Sequence, residues 1–396
     1  MSSRFGMSSQ AIHAAWRAHE GKSSHPGGAI AAAQLLPGPH MTSFQDILLG
    51  HMEKLLTRDG IPKSVIQNQI QSEKVISLSN WVRHALTEST TLALFGPELL
   101  NLEPNIVSAL GEFDRSSWKF TYQVPGPFSK DMLSAKSLIQ DALIRYFELP
   151  SRKRENASYL VSTLESEQRA LKNTSKDLSA SLTLLYWVAN TNAWKAGFWM
   201  LTHILYSPSL KTRVLEEINP HISASVSATE LQKRLEKLPL INAIYYETLR
   251  TTASSISVRD VLAPCTLSSL TLSPGSRLII PYRQMLLDPE VFGADAESFN
   301  PDRFLKNPEL ARHPSFRPFG GGTTFCPGRF VAQSEAVVFV AMVLGRYDVE
   351  VVGGGYKGGP PRFEESKPCL GIMEVKGGED VFVRIREKKG LVDSTI

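Results

Sequence analysis

Cysteine is scarce in this chain. Cys265, Cys326 and Cys369 are the only three among 396 residues, well separated and with no Cys-x-x-Cys pair. An odd number so spaced excludes a disulfide framework or a structural zinc site as the scaffold, and fits a reducing compartment. An excess of charge is lacking as well. Lys and Arg total 43 against 39 Asp and Glu, a net charge of +4. No run of like charges marks a basic tail, so nucleic acid is not an expected partner. Long hydrophobic runs are also missing. The nearest candidate for a membrane span, 182–206, is interrupted by Asn190, Thr191, Asn192, Lys195, Thr202 and His203, and reads as a buried helix. The opening MSSRFGMSSQ has no apolar segment of the signal-peptide kind. Repeats and low-complexity stretches are absent.

What is present reads as an ordinary globular protein, 42% hydrophobic and 21% charged. No linker is visible, so a single domain over 1–396 is expected. The first forty residues read as irregular, with Pro26-Gly27-Gly28 and Pro37-Gly38-Pro39 as breakers. Apolar spacing then predicts a helix from Phe44, capped by Thr42 or Ser43. Further helices are predicted over 80–95, stopped by Gly96-Pro97, and over 128–149. Thr174 and Asp177 have capping-box spacing. They open a long central helix predicted over 174–207, apolar on all faces and ended by Ser207-Pro208. Thr229 is the expected cap of a short helix, and another follows Pro239 to Thr251. Short apolar runs at 278–281, 347–352 and 381–385 read as strands. The fold class is mainly α with a minor β portion.

Residues 316–346 read FRPFGGGTTFCPGRFVAQSEAVVFVAMVLGR. A glycine-rich loop delivers Cys326 to the start of an apolar helix. Gly320, Gly321, Gly322 and Gly328 permit positive φ and close approach of something bulky. A helix N-terminus offers unpaired N–H groups and positive potential, which favour a thiolate. Three readings compete: a buried structural cysteine, a nucleophile, or a thiolate ligand to a metal cofactor. No histidine stands out as a base for the second, and the spacing favours the third.

Phe319-x-x-Gly322-x-x-x-Cys326-x-Gly328 resembles the haem-binding loop of cytochromes P450, whose cysteine thiolate is the proximal iron ligand. Two upstream segments stand in the family's order. Glu247-x-x-Arg250 places both charges on one helix face, and Phe299-Asn300-Pro301-Asp302-Arg303-Phe304 resembles the family's later segment. The resemblance implies a cytochrome P450 fold in which Glu247, Arg250 and Arg303 form a buried structural triad. It implies haem held by Cys326, Phe319, Gly322 and Gly328, with Arg259 beside a propionate. The hairpin at Leu370-Gly371-Ile372-Met373 resembles the loop that enters the substrate pocket. Together with WVANTNAWKAGFW, it is most similar to the branch of sterol 7-alpha-hydroxylases, prostacyclin synthase and fungal secondary-metabolism relatives.

The implied activity is monooxygenation of a hydrophobic small molecule in secondary-metabolite or sterol/terpenoid-like biosynthesis. NADPH-cytochrome P450 reductase would be the electron donor, docking beside Arg312, Arg317 and Arg329, and the implied location is the endoplasmic reticulum membrane, or otherwise the cytoplasm. Three departures qualify this. Most members carry an acid followed by threonine on the distal helix to manage proton delivery; here Asn192 and Ala193 stand there after Thr191, leaving Asn192 and Thr191 as the distal candidates. An isomerase or dehydratase needing no electron donor, or a haem-binding remnant without catalysis, are the alternatives. Thr324 stands where many members have a basic residue for a propionate. The family's anchor, hinge and first sheet have no counterpart before Met1, so an N-terminally truncated fold with exposed strand edges and poor solubility is expected.

Overall fold

The computed structural model describes residues 5–18, 28–57, 59–70, 73–223, 225–322 and 325–388. Helices α1 (Ser9–Ala18), α2 (Gly28–Leu35) and α3 (Pro39–Leu55) lead into a hairpin of β1 (Ile66–Ile70) and β2 (Glu73–Ser77). A helical run follows: α4 (Leu78–Phe95), α5 (Glu98–Leu102), α6 (Ile106–Thr121), α7 (Lys130–Glu148) and α8 (Tyr159–Ala170). It continues through α9 (Ser175–Asn190), α10 (Ala193–Leu205), α11 (Pro208–Ile218), α12 (Ala228–Leu235) and α13 (Pro239–Thr252). Then come β3 (Ile256–Asp260), β4 (Cys265–Leu267), β5 (Leu270–Leu272), β6 (Arg277–Pro281) and the short helices α14 (Tyr282–Leu286), α15 (Pro289–Phe292) and α16 (Asp302–Lys306). The last elements are α17 (Arg329–Arg346), β7 (Tyr347–Gly354) and β8 (Val381–Glu387). The fold is therefore mainly α, with small antiparallel sheets.

Local chemistry explains many of these boundaries. The Ser77 hydroxyl accepts from the Asn80 N–H at the start of α4, and Gly96 ends that helix at φ +71°. Thr174 and Asp177 form the reciprocal capping box at the start of α9. Pro39 and Pro239 open α3 and α13, where a missing N–H removes nothing a helix needs.

The sequence reading is corrected at four places. The first forty residues contain α1 and α2 and the start of α3: the glycines and prolines bound helices there, α2 starting at Gly28 and stopping at Leu35 before Pro37, and α3 starting at Pro39. Helix α3 starts at Pro39 after Gly38, not at Thr42 or Ser43. Ser227 rather than Thr229 caps α12, its hydroxyl accepting from the Glu230 N–H. The long central helix over 174–207 is not continuous. It breaks at Thr191-Asn192 into α9 and α10, for reasons of side-chain bonding given below.

The four-stranded sheet has the order β1-β2-β8-β7, so the early hairpin pairs with the last strand. Strands β3 and β6 form a separate two-stranded sheet. On it Ile256, Val258 and Ile279 are 50%, 41% and 56% exposed, an apolar patch of the kind that lowers solubility. Among the described residues no helix is long and apolar enough to cross a membrane.

Helix α10 runs through the core against α4, α13 and α17, with every residue from Ala193 to Thr202 buried. One acid lies within this packing. Glu335 of α17 is buried against α4, where its carboxyl oxygen accepts from the Thr90 hydroxyl at 3.0 Å. Burial pushes its carboxyl up from 4.5 to about 8, the Thr90 bond opposing this only in part. The native state thus keeps a proton that the unfolded chain has released, and this contribution to stability falls as pH rises from 4.5 toward 8. Urea unfolding across that range is expected to lose stability by up to about 1.4 kcal/mol per pH unit from this group. The Glu335→Gln variant should show a flatter profile; an identical slope would contradict the assignment.

Candidate functional site

The site starts from the loop before α17. Gly320 and Gly322 take φ +75° and +65°, and near each the space that a Cβ would enter is open or nearly so. Gly328 does not need its freedom for a left-handed turn: it caps α17 at φ −76°. A Cβ there would lie 3.8 Å from Cys326 Sγ, an ordinary contact. The Cys326 N–H donates to the Phe319 carbonyl at 3.2 Å, and the Phe325 N–H to the Gly322 carbonyl at 3.2 Å. These bonds fold the loop back on itself, and Phe319 packs against the core.

Cys326 is partly exposed at the start of α17. Burial holds its thiol above the usual range, outweighing the N–H groups of Gly328 and Arg329 and the Arg329 charge, which act in the opposite direction. Helix-terminal N–H groups turned toward a sulfur favour a thiolate. This donor set fits a thiolate-ligated haem iron. Arg329 donates to the Cys326 carbonyl at 2.8 Å and lies over the Phe325 and Phe330 rings at 4.3 and 4.4 Å. Arg312 pairs with Glu309 at 3.2 Å. Arg259 is exposed on β3, donating to the Val258 carbonyl at 2.9 Å. Thr324 lies outside the described residues.

Behind the loop, Glu247 and Arg250 of α13 are fully buried. Arg250 Nε and Nη2 donate to the two Glu247 carboxylate oxygens at 2.8 and 2.7 Å. Its remaining donors reach the carbonyls of Leu286 (3.0 Å), Ala296 (2.5 Å) and Ser298 (3.0 Å). All five N–H groups of the guanidinium are used. Glu247 also accepts from the Asn300 N–H at 2.8 Å. Arg303 stands further off, its Nε 3.6 Å from Glu247, and donates at 3.0 Å to Asp295. The three residues are together, but as a tight pair with an outlying third member.

The helix break has its own network. The Thr191 hydroxyl and the Trp187 indole N–H (2.8 Å) both donate to Asp114 Oδ1 of α6, and Lys195 Nζ lies 2.9 Å from Asp114 Oδ2. Lys195 also reaches Glu374 at 3.2 Å. Burial pushes the Asp114 carboxyl up, but the Lys195 ammonium and the bonds from Thr191, Lys195 and Trp187 outweigh it and hold the group below its usual range. The Asn192 amide oxygen accepts from the Ile372 N–H at 2.8 Å. A Cβ on Gly371 would lie 2.1 Å from that oxygen, so a glycine lets the strap formed by residues 370–373 approach the break. The strap is pinned again where the Ser254 N–H donates to the Gly371 carbonyl at 2.8 Å and the Met373 N–H to the Thr252 carbonyl at 3.0 Å. Sequence reasoning missed Asp114, Lys195 and Glu374. A lysine in an apolar helix was the one available signal.

Fold and site together define a protein built to present one cysteine sulfur at a helix terminus. The family description "Cytochrome P450" matches residues 61–367. The chain belongs to the cytochrome P450 family, for which a haem with a thiolate ligand is general. It is similar to the cytochrome P450 monooxygenase calL of Penicillium decumbens, 27% identical over 347 residues, covering 78% of this chain and 63% of that protein. It is 29% identical to cytochrome P450 7A1 of Sus scrofa over 244 residues, covering 56% of this chain and 48% of that protein. With prostacyclin synthase of Rattus norvegicus it is 29% identical over 252 residues, covering 57% and 49%. The chain thus spans about half to two thirds of the length of these relatives.

The two arginines should separate in energy. Arg250→Ala leaves Glu247 buried and unpaired, and is expected to lower stability by about 3–5 kcal/mol in urea unfolding. Arg303→Ala removes a longer contact and an exposed partner, and should lose about 1 kcal/mol. Equal losses would contradict the geometry described.

Proposed function

We propose that the chain has the activity of a haem-thiolate monooxygenase acting on a hydrophobic small molecule. The observation that carries this reading is the Cys326 sulfur at the start of α17, with the Gly328 and Arg329 N–H groups turned toward it. Cys326 holds the iron, and Phe319, Gly322 and Gly328 shape the loop around it. Arg259 is the propionate partner in this reading. When bound, thiolate-ligated haem supplies the electron donation that favours O–O cleavage. Glu247, Arg250 and Arg303 hold the protein behind the loop and take no part in chemistry.

On the other side, Thr191 and Asn192 stand at the helix break as the distal polar groups. Asparagine donates and accepts hydrogen bonds without ionising near neutral pH. Proton delivery would then run through hydroxyl and amide groups with water, not through a carboxyl at this position. The strap at Leu370 to Met373 borders the substrate. NADPH-cytochrome P450 reductase is the electron donor in this proposal, and the location is the endoplasmic reticulum membrane. In this proposal the substrate is a hydrophobic secondary metabolite or a sterol/terpenoid-like compound, as the family resemblance implies.

A second reading rests on Asn192. Its amide oxygen is committed to the Ile372 N–H and Thr191 to Asp114, so neither group is held ready as an acid. This favours a haem-thiolate isomerase or dehydratase that needs no electrons. The two separate in one assay of the haem-loaded protein against a panel of terpenoid and sterol substrates. Product formation dependent on NADPH and reductase is expected. Product formed equally without a donor would select the second reading, and no product with either NADPH or peroxide would overturn both.

A further inference from the structure

Strands β4 and β5 form a two-stranded sheet of their own, paired Cys265 to Leu272, Thr266 to Thr271 and Leu267 to Leu270. This hairpin is the outer end of the β3–β6 ribbon. The Val261 N–H donates to the Ser276 carbonyl at 2.9 Å, and the Gly275 N–H to the Val261 carbonyl at 2.8 Å. Successive side chains of a strand point to opposite faces. One face of the hairpin therefore carries Cys265, Leu267, Leu270 and Leu272, and the other only Thr266 and Thr271. Every residue over 262–271 is exposed. Leu262 stands out furthest at 91%, with Leu270 at 65% and Leu267 at 55%. An isolated hairpin is marginally stable in water, and leucines grouped on an open face mark a surface that is covered in use.

The residues around this face say what covers it. Over 261–276 none is charged. The far face and the turn offer only the hydroxyls of Thr266, Ser268, Ser269 and Thr271. Charge appears at the base, where Arg259, Asp260 and Arg277 leave one positive charge in excess and Arg277 pairs with Asp260 at 2.9 Å. A stable protein interface takes about 20–30 residues a side. The leucine face is far smaller, which argues against a second copy of the chain or a partner protein. A lipid surface fits on each count. A bilayer favours leucine and rejects charge, and a basic excess at the base suits anionic head groups.

We infer that the β4–β5 hairpin is a membrane-surface contact that seats Leu262, Leu267, Leu270 and Leu272 in the head-group region of an anionic bilayer. It does not cross. The open edges of a two-stranded sheet would leave backbone groups unpaired in hydrocarbon. The contact is independent of the haem chemistry and is expected with or without haem.

Flotation of the full chain with vesicles of phosphatidylcholine and phosphatidylserine tests this, beside vesicles of phosphatidylcholine alone. Binding is expected to both and to be stronger to the anionic ones. Leu267→Asp and Leu270→Asp should each weaken it at least tenfold; both side chains are exposed, and circular dichroism checks that the variants fold. A nitrobenzoxadiazole label on Cys265 gives a second readout, with Cys265→Ser measuring any label on the other cysteines. Its emission should move to shorter wavelength on vesicles and resist quenching by iodide. Absence of binding, undiminished binding in both folded variants, or an unshifted label would overturn the proposal. So would a dimer in vesicle-free solution that crosslinks through Cys265 and does not bind vesicles, because the face would then belong to a second copy.

Discussion

The Arg250 guanidinium is the interaction on which the rest of the structure depends. It is an obligate cation with five N–H groups and no exposure to water, so every donor must find an oxygen inside the protein. Two find Glu247, one turn back on the same helix, which neutralises the charge. Three find carbonyls of Leu286, Ala296 and Ser298. Those carbonyls belong to a stretch with little regular structure, whose backbone groups would otherwise lack partners in the interior. One side chain thereby fixes the path of the chain from α14 toward α16. Arg283 adds a bond from α14 to the Thr251 carbonyl at 3.1 Å, tying the same region to the end of α13. The cysteine loop follows directly on this scaffold, and its position is inherited from it.

The second organising feature is the break between α9 and α10. A helix through a crowded core would be expected to continue, since nothing in its local sequence contains proline or glycine at that point. Asp114 draws Thr191 and Lys195 sideways from α6, and the strap draws Asn192 from the other side. An Asp–Lys pair this deeply buried carries a desolvation penalty that its Coulomb attraction only partly offsets. What it provides is position: it anchors α6, the break and the strap at one place. A chamber of about 50 Å³ remains there, bordered by Asp114, Thr191, Asn192 and Lys195.

Legibility in the sequence divides along the same physical line. The start of α9, the stop at Gly96 and the start of α13 at Pro239 are written in a few adjacent residues, and they were readable. So was the spacing that puts Glu247 and Arg250 on one face. The break at Thr191-Asn192 was not, because its cause lies in Asp114 and Ile372, residues far away in sequence. Helices α1 and α2 were hidden for the opposite reason: proline and glycine groups are strong local signals that read as breaking the whole stretch, whereas here they bound short helices, α2 from Gly28 to Leu35 and α3 from Pro39. The cysteine loop stood out through glycine spacing. The five partners of Arg250, three of them backbone carbonyls, carry no side-chain signature at all.

The claim at the centre of this account is that Cys326, presented at the N-terminus of α17, is the thiolate ligand of haem iron. The carbon monoxide difference spectrum of the reduced, haem-loaded protein tests it directly, beside the Cys326→Ala variant. A strongly red-shifted thiolate-type Soret band in the wild-type chain, lost in the variant, is the result this structure predicts. An unshifted band, or a shifted band that survives removal of Cys326, would contradict it.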